Sequence, residues 1–328
     1  MSTIKASYTV TPNESTPSGR LWLTDLDQVV RRSHVSLIYI YKLKQNIENR
    51  IIVETLKNSL SKLLVHYYPV AGRLCYTEGG RIELNLNAKG VIFIEAETTK
   101  TMDDYGDFSP SESTNELIPI VDFNQPMEEV PLFVAQVTRF QNKDESFGFA
   151  IAVGNSHALS DAIGGFNLMN SWGKIARGET LEPNELPFLD RTILKFSHTP
   201  TEPRFNHIEL EPLPLILGRS DTDIESKKKI TAGLFRLTKE EVEKLKKKAN
   251  DCDLPKDSRP YSRFEAICAH IWRSASKARE LEENQQSVVR FNVEIRNRMI
   301  PNLPKNFYGN ALIQTTAKGY VGEITSKP

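Results

Sequence analysis

The stretch FGFAIAVGNSHALSDAIGGFNLMNSW, from Phe147 to Trp172, limits the fold more than any other part of the chain. Phe147, Phe149, Ile151 and Val153 alternate with Gly148, Ala150 and Ala152, so no position in the run is polar. A strand of that kind has to be covered on both faces, which places it inside a layered sheet and not at an exposed edge. The run breaks at Gly154-Asn155-Ser156, and the next ionisable residues are His157 and Asp161. Beyond them Ala162, Gly165, Phe166, Met169 and Trp172 fall at helical spacing. A histidine therefore stands where a core strand leaves the sheet and a helix is about to start. Open sheets hold reactive side chains on rigid supports at such positions.

Imidazole titrates near neutrality, so His157 suits general-base work. Asp161, one helical turn on, either bonds His157 or turns away and holds the turn through another partner. A serine hydrolase would use Asp161 to orient His157, but no G-x-S-x-G elbow occurs. One His and one Asp without a third nearby ligand do not make a metal site. A purely structural His–Asp turn carries about equal weight at this point.

Around this centre, Ser7–Val10, His34–Tyr41, Arg81–Leu86, Val91–Ala96 and Leu132–Phe140 read as strands, the last expected beside the central one. His34 is a second candidate base, with no evident partner. Asp25 and Asp27 are candidate catalytic acids, but the acidic, solvated start of a helix is the preferred reading. Ile52, Leu56, Leu60, Leu63, Leu64 and Tyr67 trace one helix face, Pro69 ends it, and Gly72 is expected to let the backbone turn. Thr98–Glu116 reads as an exposed acidic loop with a helical turn, in preference to a binding element. Prolines 183, 187, 200, 203, 212 and 214 mark a crossover, with Asp190-Arg191 as an ion-paired linker and Lys227–Lys229 as a solvated basic run, or, in an enzyme that uses a nucleotide-bearing cofactor, a run near the nucleotide phosphates. A second domain then opens with a strand at Ile230–Leu237. Two helices follow, capped by Thr238 with Glu241 and Ser262 with Glu265. Phe264, Ile267, Cys268, Ile271, Trp272, Ala275 and Ala278 are expected to line the inner face of the second, with His270 packed just beneath. Val288–Ile295 and a segment starting at Asn310 complete the strands.

Lys+Arg and Asp+Glu both number 42, which argues against bulk attraction to nucleic acid or to a membrane surface. Cys75, Cys252 and Cys268 are odd in number and lack C-x-x-C spacing, so we expect reduced thiols in the cytoplasm, no metal and no disulfide framework. No apolar run approaches signal-peptide or membrane-spanning length.

HALSD after an apolar strand resembles the H-x-x-x-D signature of the plant BAHD acyltransferases. LWLTDLDQV (21–29), YYPVAGRL (67–74), NSWGKIARG (170–178), SRFEAICAHIWRSASKAR (262–279) and RNRMIPNLPKNFYGNAL (296–312) look like family segments in family order. The pattern departs at Ala162, where glycine is usual, and the Asp-Phe-Gly-Trp-Gly signature does not occur. The resemblance implies an α/β chloramphenicol acetyltransferase-like fold of two domains with mixed sheets and a channel between them, the second domain incomplete by C-terminal truncation. Its expected parts are an acyltransferase domain over 1–185, a crossover over 186–229 and a partial second domain over 230–328. It also implies catalysis by His157 as general base, with Asp161 turned to an arginine, Arg296 first and Arg298 as fallback. The co-substrate would be acyl-CoA, with no permanently bound cofactor and no covalent acyl-enzyme. The segment from Leu21 to Lys42 looks closest to hydroxycinnamoyltransferases that acylate spermidine, with an alcohol such as shikimate as the next acceptor. A monomer without nucleic-acid or membrane partners is expected. A non-catalytic truncated relative and a hydrolase using His157 on water are the competing readings.

Overall fold

The computed structural model describes residues 2–141, 147–195, 202, 206–211, 233–251 and 259–326. The chain divides into two compact units, Met1–Thr199 with Glu294–Ile313, and Pro200–Val293 with Gln314–Pro328. This division differs from the sequential one expected above, because residues 294–313 return to the first unit after the second has been threaded.

The first unit is built on a five-stranded mixed sheet. Its strands are β1 (Ser2–Val10), β3 (His34–Leu43), β6 (Val91–Thr98), β7 (Phe133–Arg139) and β8 (Phe147–Ser156), in the order β1-β6-β7-β8-β3. Only β6 and β7 run parallel; the other neighbours are antiparallel. β8 is buried along nearly its whole length, as an unbroken apolar run requires. Phe149, Ile151 and Val153 join the main core, while Ala150 on the opposite face packs with Tyr105, Leu117 and Phe140. The segment 98–116 has the expected helical turns, at Asp103–Tyr105 and Glu112–Asn115, but is not simply exposed, since Tyr105 and Thr114 are buried in it.

Helix α2 (Asn49–His66) lays Ile52, Leu56, Leu60, Leu63 and Leu64 into the main core and packs on α4 (Ala162–Ala176). A small antiparallel sheet of β2 (Gly19–Trp22), β5 (Ile82–Leu86) and β4 (Arg73–Tyr76) closes one side. Gly72, just before β4, has φ −83, so left-handed freedom is not what it supplies. A Cβ there would lie 2.6 Å from the Asn85 carbonyl oxygen; only glycine permits that approach. Between β2 and β3 stands the short helix α1 (Asp25–Val29), and α3 (Glu112–Asn115) is a single turn.

In the second unit, Gly233–Leu237 is not a strand, and the rest of the expected strand lies outside the described residues, as do Lys227–Lys229 and Cys252. Both capping boxes form, starting α5 (Lys239–Asn250) at Thr238 and α6 (Arg263–Ala278) at Ser262. β9 (Gln286–Glu294) pairs with β10 (Leu312–Tyr320), and the chain continues into α7 (Val321–Ser326). The expected inner stripe of α6 is not buried: Phe264 is 63% exposed and Ile271 57%, and only Ala266 and Ser276 are covered. His270 is also exposed and does not pack beneath the stripe. The described part of this unit offers α6 a two-stranded sheet and two shorter helices, too little surface to cover an apolar face of that length. No described helix is long and apolar enough to cross a membrane.

The contrast in burial is measurable. Leu60→Ala, at a fully buried position of α2, should cost about 2–5 kcal/mol in denaturant melts. Ile271→Ala on α6 should stay within about 0.5 kcal/mol of the parent; equal losses at the two sites would mean that α6 is buried after all.

Candidate active site

β8 ends at Ser156, whose N–H bonds the Leu132 carbonyl at 2.8 Å, and the chain turns through His157, Ala158 and Leu159 into α4. The His157 N–H bonds the Ser33 carbonyl at 2.9 Å, and Leu159 N–H closes the turn on Ser156 at 3.0 Å. Ala158, Leu159, Ser160 and Asp161 are all buried, while His157 is half-buried. The apolar residues of HALSD anchor the turn, and the imidazole is the group left partly in the open.

Asp161 caps α4: its Oδ1 accepts from Gly164 N–H at 3.1 Å. Gly164 is required by close approach, since a Cβ there would lie 2.8 Å from Ser160 Cβ and 3.3 Å from the Tyr308 ring. The Asp161 carboxylate also accepts from Arg296 through a fork, Nη1 to Oδ2 at 2.8 Å and Nη2 to Oδ1 at 2.9 Å. Ala311 N–H adds a further bond to Oδ2 at 2.9 Å. Arg296 Nη2 in turn donates to the Phe307 and Gly309 carbonyls, both at 3.2 Å. Neither partner meets water, with side-chain exposures of 4% for Arg296 and 1% for Asp161. The structure thus brings Asp161 to Arg296 and away from His157. Arg298 is exposed and donates to the Glu294 carbonyl instead.

His157 meets a different partner. Its Nδ1 lies 3.1 Å from Asn310 Oδ1. Asn310 Nδ2 points at two acceptors, Asp27 Oδ1 at 2.7 Å and the His157 carbonyl at 2.8 Å, and the Asn310 backbone N–H also bonds Asp27 Oδ1 at 3.2 Å. Those acceptors settle which end of the amide is nitrogen, so its oxygen must accept from His157 Nδ1–H. The proton is thereby placed on Nδ1, and Nε2 keeps a lone pair with no hydrogen-bond partner among the described residues.

Asp27, expected to be solvated, is 1% exposed. The reason is a capping box: Thr24 N–H and Oγ1 both bond Asp27 Oδ2, at 2.9 and 2.8 Å, and turn the side chain inward. Asp25, by contrast, stays outside, paired with Arg81 at 2.8 Å. Arg191 Nη1 reaches Asp27 Oδ2 at 2.8 Å and its Nη2 bonds the Leu159 carbonyl at 2.6 Å. Arg191 is therefore no surface linker; at 2% exposure it sits between α1 and the HALSD turn. Asn310, Asp27 and Arg191 are the site residues that the sequence reading did not assign. The spacing Thr24-x-x-Asp27 was the one available signal.

His34 is tied down: its Nε2–H donates to the Pro131 carbonyl at 2.8 Å, and burial lowers its pKa. Tyr308, fully buried edge-on to Tyr67 at 5.1 Å, has its hydroxyl pKa raised by desolvation. Among the described residues no group of His, Cys, Asp and Glu is arranged to hold a metal ion.

Residues 1–328 match the model of a family described as the transferase family. A hydroxycinnamoyl-CoA:piscidic acid hydroxycinnamoyltransferase from Actaea racemosa is 41% identical, covering 99% of this chain and 71% of that protein. A shikimate O-hydroxycinnamoyltransferase from Nicotiana tabacum is 36% identical over 99% of this chain and 73% of its own length. Among solved structures, vinorine synthase superposes with a TM-score of 0.71 at 24% identity, covering 98% of this chain and 72% of that one. TRI101 of F. graminearum, complexed with coenzyme A and T-2 mycotoxin, gives 0.69 at 17% identity, covering 94% and 72%. Both likenesses bear on the fold, which is the mixed-sheet α/β arrangement of the chloramphenicol acetyltransferase type.

Breaking the Asp161–Arg296 fork from either side should be costly. Asp161→Ala and Arg296→Met should each lose about 3–5 kcal/mol in urea melts, because each leaves an uncompensated buried charge. The double variant should lose less than the two added together. Unchanged midpoints, with only the pH profile of activity moved, would point to a direct Asp161–His157 dyad.

Proposed function

From the premise that this chain belongs to the transferase family and is an acyl-CoA-dependent acyltransferase of the BAHD type, we propose that it moves a hydroxycinnamoyl group from CoA onto a hydroxyl of a small hydroxylated acid, with His157 as the general base. Relatives at 41% and 36% identity are named for hydroxycinnamoyl transfer, and the family uses acyl-CoA as co-substrate without a permanent cofactor. The observation that carries the catalytic assignment is the Nδ1–H bond from His157 to Asn310. It leaves Nε2 as a proton acceptor on a side chain whose backbone is bonded at both its N–H and its carbonyl.

In this reading Nε2 takes the proton of the acceptor hydroxyl as its oxygen attacks the thioester carbonyl. The new C–O bond forms, the tetrahedral oxyanion collapses, and the C–S bond breaks. CoA leaves as thiolate and takes the proton back from His157. The acceptor is itself the nucleophile, so no acyl-enzyme intervenes. Base assistance of this kind is worth on the order of a hundred- to ten-thousand-fold in rate. Asp161 and Arg296 support the step by holding the turn that carries His157, since a misplaced base costs as much as an absent one.

Spermidine stood first among the acceptors expected from Leu21–Lys42. Two observations favour an acid instead. The relatives above are named for piscidic acid and shikimate. Arg31 and Arg32 are exposed beside Ser33, whose carbonyl holds the His157 N–H; two cations there repel a polycation and attract a carboxylate.

His157→Ala should keep the parent fold by circular dichroism and cut acyl transfer by roughly a hundred-fold or more. Turnover near that of the parent would overturn the assignment. Offered a hydroxycinnamoyl-CoA with shikimate or with spermidine, the chain should form the ester in preference to the amide. Preferential amide formation would restore the polyamine reading, and free acid released without any acceptor would mark a hydrolase.

A further inference from the structure

Arg191 touches no atom of the proposed reaction, yet it occupies the far end of a buried hydrogen-bonded line that ends on the base. The line runs from Arg191 Nη1 to Asp27 Oδ2 at 2.8 Å, from Asp27 Oδ1 to Asn310 Nδ2 at 2.7 Å, and from Asn310 Oδ1 to His157 Nδ1 at 3.1 Å. The side chains of Arg191 and Asp27 are 1% and 0% exposed, so water does not screen either charge. Thr24 and Asn310 give Asp27 only neutral donors; among the described residues its one cationic partner is Arg191.

A carboxylate one amide away from an imidazole favours the protonated ring. A base that must start unprotonated is weakened by such a neighbour. Asp27 cannot be dispensed with, because it orients the amide that chooses the His157 tautomer. Among the described residues, the other buried charges at the turn are Asp161 and Arg296, which already cancel one another through their fork, while Arg31 and Arg32 beside Ser33 are exposed and screened by water. Asp27 is left as the one carboxylate on the line to His157, and its charge needs a counterweight.

We infer that Arg191 is a positioning residue of the proposed base: by pairing with Asp27 it lets that carboxylate orient Asn310 without drawing a proton onto His157. The inference rests on the reading of His157 given above, and it makes a signed claim that a packing role does not. Removing the arginine exposes His157 to a bare negative charge, so the ring holds its proton to higher pH. Removing the carboxylate leaves Arg191 uncancelled, so the ring gives up its proton more readily and deprotonates at lower pH.

The experiment follows the His157 imidazole by NMR titration in the full chain, with melts to confirm folding, for Arg191→Met, Asp27→Asn and the double variant. The His157 midpoint should rise by about one pH unit in Arg191→Met, fall in Asp27→Asn, and lie near the parent in the double variant. Arg191→Lys, which keeps the charge, should stay close to the parent as well. Should Arg191→Met not fold, Arg191→Gln, which keeps a donor for Asp27 without the charge, takes its place and should raise the midpoint likewise. Coincident titrations in the parent and in every folded variant would overturn the inference, even with activity lost. The reading beneath it fails separately: a fully active His157→Ala, or an acid limb of kcat/KM that ignores the measured midpoints, sinks His157 as base whatever the titrations show.

Discussion

The carboxylate of Asp161 is the junction on which the site depends. It caps the helix that follows, accepts both prongs of Arg296, and takes a backbone N–H from Ala311. Three stretches of chain meet on its two oxygens: the HALSD turn, the end of β9 and the start of β10. Apolar residues accompany them, Ala158 and Leu159 from the turn and Ile295, Phe307, Tyr308 and Ala311 from the other two. Charge-assisted hydrogen bonds in a water-free setting supply a directional fit that apolar burial does not.

A second junction of the same kind lies close by. Asp27 gathers Thr24, Arg191 and Asn310, and Arg191 passes on to the Leu159 carbonyl. The HALSD turn is thus gripped by two arginines, one bonded to Leu159 and one to Asp161, with His157 emerging on the other side of Ala158. Buried ion pairs add little net stability compared with apolar residues of the same shape. Their use here is better explained by orientation: each arginine makes bonds that hold only if the turn has a single conformation, and a base is useful only in that case.

Much of this was legible in the residues. The unbroken apolar run of β8, the face of α2, and both capping boxes of the second unit follow from period and composition, and all four form. The pairing of Asp161 with Arg296 came from the family resemblance, since nothing local links residues so far apart. Asp27 was missed because an acidic residue in the first turn of a short helix is ordinarily solvated, whereas here the capping box with Thr24 turns it inward to a distant partner, Arg191. Asn310 was missed for a related reason, as an uncharged amide in a loop carries no signal until two acceptors are known to face it. The stripe on α6 misled in the opposite direction. Helical period says which residues share a face, but not whether anything lies against it.

The return of residues 294–313 to the first unit sets an order of events during synthesis. β8 and the HALSD turn are made early, but Arg296 follows Asp161 by 135 positions. At ordinary elongation rates the buried aspartate waits about 7–27 seconds for its arginine. Through that interval the first unit holds an unneutralised carboxylate in the place where the helix begins, and its last pieces are still inside the ribosome. A folding nucleus made of β6, β7, β8 and α2 can form without them. The site itself is among the last parts of this unit that can close, because its contacts span the longest loops among the described residues, up to 283 positions from Asp27 to Asn310, and loops of that length close slowly.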